Sequence, residues 1–386
     1  MEKSVLHCYA DYKWTGPSQP IANLCAELTR RGWRPILACT RTPESTDNSL
    51  GQRAGEMGVE VIDDFYFDGG SELGRTIRDT SHLRHLLTEK DFDIIHVHGS
   101  LDHILASVAR RRSPTTAPLI RTDHGAQRYG NSIFHHFQFS ERMADHLIVL
   151  SDRLRALAVE KLHRSPGDVS TVRGAVDLDT FQPMEPPAGI REQFGFSADH
   201  IIIGIVARVQ WHRRFDVLLE AARQIQKKNS RLKIIVLGRG THKEEILDHP
   251  VTEMGLEATV HPLGYRTDDY KDVLAMCDAG LMLVPGSDGS CRAAMQMCAM
   301  EIPLVVANRG VLPDIVADGE TGMVVQDKPK RLANALLEMA EKEDRRRHWG
   351  KAARDRMSRL FSLKKQTDNV EKVYRNLIKR DFENGR

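Results

Sequence analysis

Residues 284–326 read VPGSDGSCRAAMQMCAMEIPLVVANRGVLPDIVADGETGMVVQ, and this stretch decides the fold class. It begins at the end of an apolar run, Ala279–Val284, which reads as a buried parallel strand. A loop of small residues, Pro285–Ser290, follows. Cys291–Met300 then has Met, Ala and Cys at helical spacing without a breaker, and Pro303 opens a second apolar strand, PLVVA. Strand, small-residue loop, helix, strand is a βαβ unit, whose loop lies where such units bind ligands. The amides of Gly289 and Ser290, with the positive end of a helix behind them, suit a phosphate. Taken alone, such a loop reads first as an ordinary βα turn.

The alternation extends both ways. Upstream, strands are expected at Ser4–Ala10, Arg34–Cys39, Val59–Ile62, Asp93–His98, Pro118–Thr122, His146–Leu150 and Val169–Val172. The intervening helices include Pro20–Arg31, stopped by Gly32, and Ile133–Ala144; Thr42–Gly51 reads as a loop. About 175 residues of this pattern describe an open parallel sheet. The prolines of Phe181–Pro187 interrupt it. A second series begins with the all-apolar Ile201–Ala207 and continues through Leu232–Leu237, which ends in Gly238-Arg239-Gly240. Pro262 weakens the short strand expected at Thr259–Leu263. The tail, Leu363–Lys379, reads as a long amphipathic helix.

Composition narrows the function classes. Among 386 residues the net charge is +2, so no global field points to nucleic acid, and no aromatic–basic motif appears. Basic runs such as Arg110-Arg111-Arg112 and Arg345-Arg346-Arg347 read as solvated helix faces, with contact to anionic lipid as the sharper alternative. The six cysteines form no CxxC pair and sit in apolar runs, as small core residues do in a reducing compartment. The 17 histidines show no metal-ligand spacing. No apolar stretch approaches the roughly 18 residues of a membrane span, and Met1–Ala10 lacks the apolar core of a signal peptide. A cytoplasmic protein is expected, with attachment to the inner face of the membrane left open.

Order and spacing of several segments resemble retaining glycosyltransferases of family 4. The "GR…KG" segment of that family is matched by Arg208 and Arg213 in ARVQWHRRFDVLLEA. Its "EGFG…EAMA.G.PVV…GG..E" segment is matched by DGSCRAAMQMCAMEIPLVVANRGVLPD. Its "AD.vi.vS" segment is matched by Ala144–Ser151, and the domain junction by Arg173–Asp177 through Phe181 and Pro183. Phe361-Ser362 and Val373-Tyr374 match a closing helix. The resemblance implies the GT-B architecture: two doubly wound Rossmann-like domains facing a central cleft. The expected partition is residues 1–178, a linker 179–198, residues 199–360, and a helix 361–386 returning to the first domain.

The activity implied is metal-independent, retaining transfer of a sugar from a nucleotide diphosphate sugar to a saccharide or glycolipid hydroxyl. A UDP-sugar is slightly favoured over a GDP-sugar, and no other cofactor is expected. The departing diphosphate needs fixed cations and amides, and Arg208 with Arg213 would clamp it. Arginine at 213 replaces the family's lysine. The resemblance assigns catalysis to His124, Arg208, Arg213 and Asp288. It assigns donor binding also to Gly16, Tyr265, Arg266, Gly289, Ser290, Cys291 and Gln296, and acceptor contact to His98 and Gly99. Pro17, beside Gly16, offers no N–H. Asp288 and Gln296 replace the family's Glu-x7-Glu pair, Arg173 its asparagine, and Glu301 its small glycine. Two rival readings stay open: a sugar-nucleotide-binding homologue without turnover, and a sugar-nucleotide epimerase of the same architecture.

Overall fold

The computed structural model describes residues 3–44, 46–67, 73–125, 133–286 and 291–383. It forms two compact units, residues 1–175 with 363–386, and residues 176–362. In the first unit the chain runs β1 (Lys3–Tyr9), α1 (Ser18–Arg30), β2 (Trp33–Thr40), α2 (Leu50–Glu56), β3 (Glu60–Phe65), α3 (Leu73–Glu89) and β4 (Ile94–Val97). It continues α4 (Ser100–Arg111), β5 (Leu119–Asp123), α5 (Ile133–Gln138), β6 (His146–Val149), α6 (Asp152–Lys161) and β7 (Val169–Thr171). The seven strands are parallel, in the order β3-β2-β1-β4-β5-β6-β7.

Both faces of this sheet are covered, which is why its strands read as continuous apolar runs. Alternation sends Leu6, Cys8, Ile95 and Val97 to a core that also holds Leu83 of α3 and Leu105 and Ala106 of α4. It sends Val5, Ile94, Ile120 and Ile148 to the opposite face, against Val370, Val373 and Tyr374. Those three belong to the tail helix, named α15 below, which also packs on α1.

The second unit runs α7 (Ile190–Gln193), β8 (Ile201–Val206), α8 (Phe215–Gln226), β9 (Leu232–Leu237), α9 (His249–Glu253), β10 (Val260–Gly264), α10 (Tyr270–Ala275) and β11 (Ala279–Met282). It continues α11 (Arg292–Ala299), β12 (Leu304–Ala307), α12 (Leu312–Ile315), β13 (Gly322–Val325), α13 (Pro329–Glu341) and α14 (Glu343–Leu360); α15 (Leu363–Glu383) then rejoins the first unit. Six parallel strands lie in the order β10-β9-β8-β11-β12-β13. Ile203, Ile205, Ile234 and Leu281 face α8 and α13, while Ile202, Ile235, Met282 and Val306 face α11 and α14.

Three segments differ from the sequence expectation. Leu50–Glu56 is a helix, not the end of a loop, because Ser49 caps it by accepting from the Gln52 amide. The helix from Ile133 stops at Gln138, short of Ala144. The passage between units falls at Ala175–Val176, and residues 179–198 are not a free linker, since Ile190 and Phe196 are buried in the core of the second unit. Pro262 is tolerated because β10 is an edge strand, and its register shifts there.

Candidate functional site

In the second unit the strand order reverses between β8 and β11, and ligands of open α/β sheets bind at the carboxyl edge of such a switch point. Three loops meet at that edge. Beyond β8 the backbone keeps its ladder with the segment after β9: the Ala207 amide donates to Leu237 O at 3.0 Å and the Val209 amide to Arg239 O at 3.1 Å. This contact admits only glycine opposite, since a Cβ at Gly238 would lie 1.9 Å from Ala207 O and one at Gly240 1.9 Å from Val209 O. Arg208 sits between these two clamps and is exposed. Arg213, 6% exposed, donates through Nη1 to the carbonyl of Pro285, tying the β8 loop to the loop after β11. Arg214 and Cys291 open α8 and α11 in the left-handed region, at φ 63° and 52°. Strained residues of this kind gather at functional sites.

The expected donor residues are thus partly assembled. Arg208 and Arg213 share one loop, but only Arg208 is turned to solvent. Gln296, on α11, accepts from the Tyr270 hydroxyl through Oε1 at 3.0 Å, so one lone pair expected for a ribose is already engaged. Cys291 is buried in the core and offers only its backbone. Tyr265 is exposed and lies under the Arg239 guanidinium at 4.5 Å; Arg266 is instead held by Asp269, with Nε 2.8 Å from its carboxylate. Asp288, Gly289 and Ser290 lie outside the described residues. Sequence reasoning assigned no role to Gly238, Arg239 and Gly240, although two glycines directly after an apolar strand were the available signal.

The first unit reverses its strand order between β1 and β4. There the inward alternation turns polar toward the carboxyl edge: Val5 is followed by His7, Ile94 by His96 and His98, Ile120 by Thr122 and His124. His7 and His96 are direct cross-strand neighbours. Gly16 lies in the turn between β1 and α1, where the Ser18 hydroxyl donates to Lys13 O at 2.7 Å. Asp102 accepts from the amides of His98 at 2.8 Å and Gly99 at 2.7 Å. Acceptor contact was expected of His98 and Gly99. His98 is 4% exposed, both its ring nitrogens contact other histidines, and the Gly99 amide is used. His124 is half-buried. Burial, helped by the charge of Arg121, brings its pKa down to about 3, so it is neutral at physiological pH.

Removing the exposed Arg208 side chain should weaken binding of a nucleoside diphosphate by about 10- to 100-fold, as for loss of a charge-assisted hydrogen bond, while leaving the melting temperature unchanged. Arg213→Ala should lower both, and Arg213→Lys should restore part of each. Calorimetric titration beside thermal melting checks this; unchanged affinity in both alanine variants would remove the clamp.

The two halves match two family profiles, "Glycosyltransferase Family 4" over residues 14–180 and "Glycosyl transferases group 1" over residues 188–356. The D-inositol 3-phosphate glycosyltransferase of Corynebacterium aurimucosum is 28% identical over 243 residues; the match takes in 60% of this chain and 56%, little more than half, of that relative. A glycosyltransferase from Rickettsia africae superposes with a TM-score of 0.83 at 15% identity, covering 98% of this chain and 99% of its own. The Anabaena protein HepE, crystallised with UDP and glucose, superposes at 0.75 with 15% identity over 96% and 98%. With one profile on each of its two Rossmann-like sheets, the chain belongs to the glycosyltransferase family and has the GT-B type of fold.

Proposed function

We propose that the protein transfers a sugar, with retention of anomeric configuration and without a metal, from a nucleotide diphosphate sugar to a saccharide or glycolipid hydroxyl. The role fits synthesis of a cell-surface polysaccharide or glycoconjugate on the cytoplasmic side. The observation that carries this reading is the convergence of three loops at the β8/β11 switch point, with Arg208 held at its rim by the Gly238 and Gly240 contacts. Such a rim meets the charge that grows on a departing diphosphate. Front-face attack, in which the leaving phosphate takes the acceptor proton, asks the protein for positioning and electrostatics rather than a base. A UDP-sugar is the favoured donor, in keeping with the UDP bound by HepE.

Melting the protein with UDP, GDP, ADP, CMP and their sugar conjugates, in the presence of chelator, tests donor binding. A ligand at 100 times its Kd adds about 2.7 kcal/mol, which is readily seen. NMR of the product's anomeric proton then tests retention. No stabilisation by any nucleotide would overturn the reading. Clear binding without turnover over a broad acceptor panel would favour the non-transferring homologue suggested by Asp288 and Gln296.

A further inference from the structure

Beneath α15, six side chains of the first unit form a continuous polar chain. His124 Nε2 lies 3.0 Å from His98 Nδ1, and His98 Nε2 lies 3.0 Å from His7 Nδ1. His7 Nε2 lies 3.4 Å from the Tyr374 hydroxyl, which is 2.6 Å from His96 Nδ1; His96 Nε2 is 2.6 Å from Thr122 Oγ1. The His7 and His98 rings are within 10° of parallel with centroids 5.3 Å apart, the geometry of imidazoles joined nitrogen to nitrogen. Nitrogens of His7, His96 and His98 also lie within 4.8 Å of one another. A cation there would have to displace hydrogen bonds that already use both nitrogens of each ring.

Counting protons gives the chain a direction. A neutral imidazole has one donor and one acceptor, and burial keeps these rings neutral. If His124 donates first, the sequence of bonds ends on Thr122, whose own hydroxyl proton then has no acceptor among the described residues, in a side chain 6% exposed. If Thr122 donates first, its proton goes to His96 Nε2, His96 Nδ1–H donates to Tyr374, and the Tyr374 hydroxyl donates to His7 Nε2. His7 Nδ1–H then donates to His98 Nε2, and His98 Nδ1–H to His124 Nε2. Every buried donor is used. A stranded donor is less tolerable than an underused oxygen lone pair, so the second direction prevails.

We propose that Thr122, His96, Tyr374, His7 and His98 form a directional hydrogen-bond wire that holds His124 as its Nδ1–H tautomer, so that His124 offers substrate a donor and not a base. That this donor serves sugar transfer rests on the transferase reading above. The other five are positioning residues.

The two directions differ at every ring: one makes His7, His96, His98 and His124 all Nδ1–H, the other all Nε2–H. Long-range nitrogen–proton NMR on the full chain, labelled with 15N-histidine, reads this without any substrate. The expected result is four protonated Nδ1 atoms with bare Nε2 atoms. Nε2–H at any of the four rings would overturn the wire, as would one equivalent of tightly held zinc with loss of these N–H signals. His98→Leu cuts the link; His124 should then exchange between tautomers, and transfer should slow about tenfold at unchanged donor KM. A His124 tautomer indifferent to His98→Leu would also overturn it. If the four Nδ1–H rings are found but no sugar is transferred by the unaltered protein, the wire stands and the transferase reading falls.

Discussion

Between pH 7 and pH 5 the first unit should lose much of its stability while the second keeps its own. The cause is five histidines buried as neutral rings: His7, His96, His98, His103 and His146, each at most 5% exposed. Burial, the largest influence on each, lowers the pKa of His7 and His103 to about 3 and that of His146 to about 4, and places His96 and His98 well below the ordinary value. Unfolding returns them to about 6.5. The unfolded chain then binds more protons at any pH between the two values, so stability is full above about 6.5 and falls as pH drops toward the folded values. His7, His103 and His146 each lose about 1.4 kcal/mol per pH unit, or about 2 kcal/mol at pH 5, and His96 and His98 act in the same direction. The rings are neighbours and not independent, but half of the sum for those three is still about 3 kcal/mol, a large part of the stability of a domain. Asp102 opposes this, since burial raises its pKa and protonation relieves it, but it is one group against five. In the second unit His200 and His261 are lowered, and both are partly exposed. Hydrogen exchange, corrected for intrinsic rates, should show peptides of β1 and β4 losing protection at pH 5 while β8 keeps it. Equal protection at both values would contradict this account.

Gly238→Ala and Gly240→Ala should each lower the melting temperature of the second unit and nearly abolish donor binding. Each new methyl would lie 1.9 Å from a backbone carbonyl oxygen, and a backbone cannot rotate aside as a side chain can. Relief requires the segment Ala207–Val209 to leave the ladder it makes with Leu237 and Arg239. Overpacking of this kind costs about 3 kcal/mol, which is about 6–12 °C for a domain of this size. Arg208 lies within the displaced segment, so affinity should suffer beyond the stability loss. Gly55→Ala is the control. Its site within α2 has no atom within 4 Å of the added methyl, and alanine there should stabilise by up to about 1 kcal/mol. A melting temperature unchanged in both ladder variants would show that the two loops are not held together as described.

The parallel sheets were legible because buried strands announce themselves as apolar runs, and β9 begins and ends where the pattern places it. What escaped is marked by capping and geometry rather than periodicity. Ser49 starts α2 through one side-chain oxygen; β13 is four residues long. At Glu301, where the family pattern has glycine, the backbone is left-handed at φ 61°, a strain of about 1–2 kcal/mol that no local pattern reveals. The arginines and His124 of the candidate site were nominated through motif order, which records position along the chain. That order says nothing of burial, and so could not separate exposed Arg208 from buried Arg213. Nor could it show that His98 faces inward. The histidines on and just beyond three strands become one cluster only when β1, β4 and β5 are laid side by side.

The first unit takes its last helix from beyond the second. Arg31 reaches Asp368 at 2.7 Å and Glu371 at 2.9 Å, and the Trp33 indole donates to Glu371 at 2.6 Å. Vectorial synthesis must therefore release the group 1 half before the Family 4 half can close. A nascent chain halted before Leu363 would hold its first sheet with Val5, Ile94, Ile120 and Ile148 lacking the cover of Val370, Val373 and Tyr374, a surface suited to a chaperone. For this protein the usual order, in which the amino-terminal domain matures first, is reversed: the half made first is the last to become native.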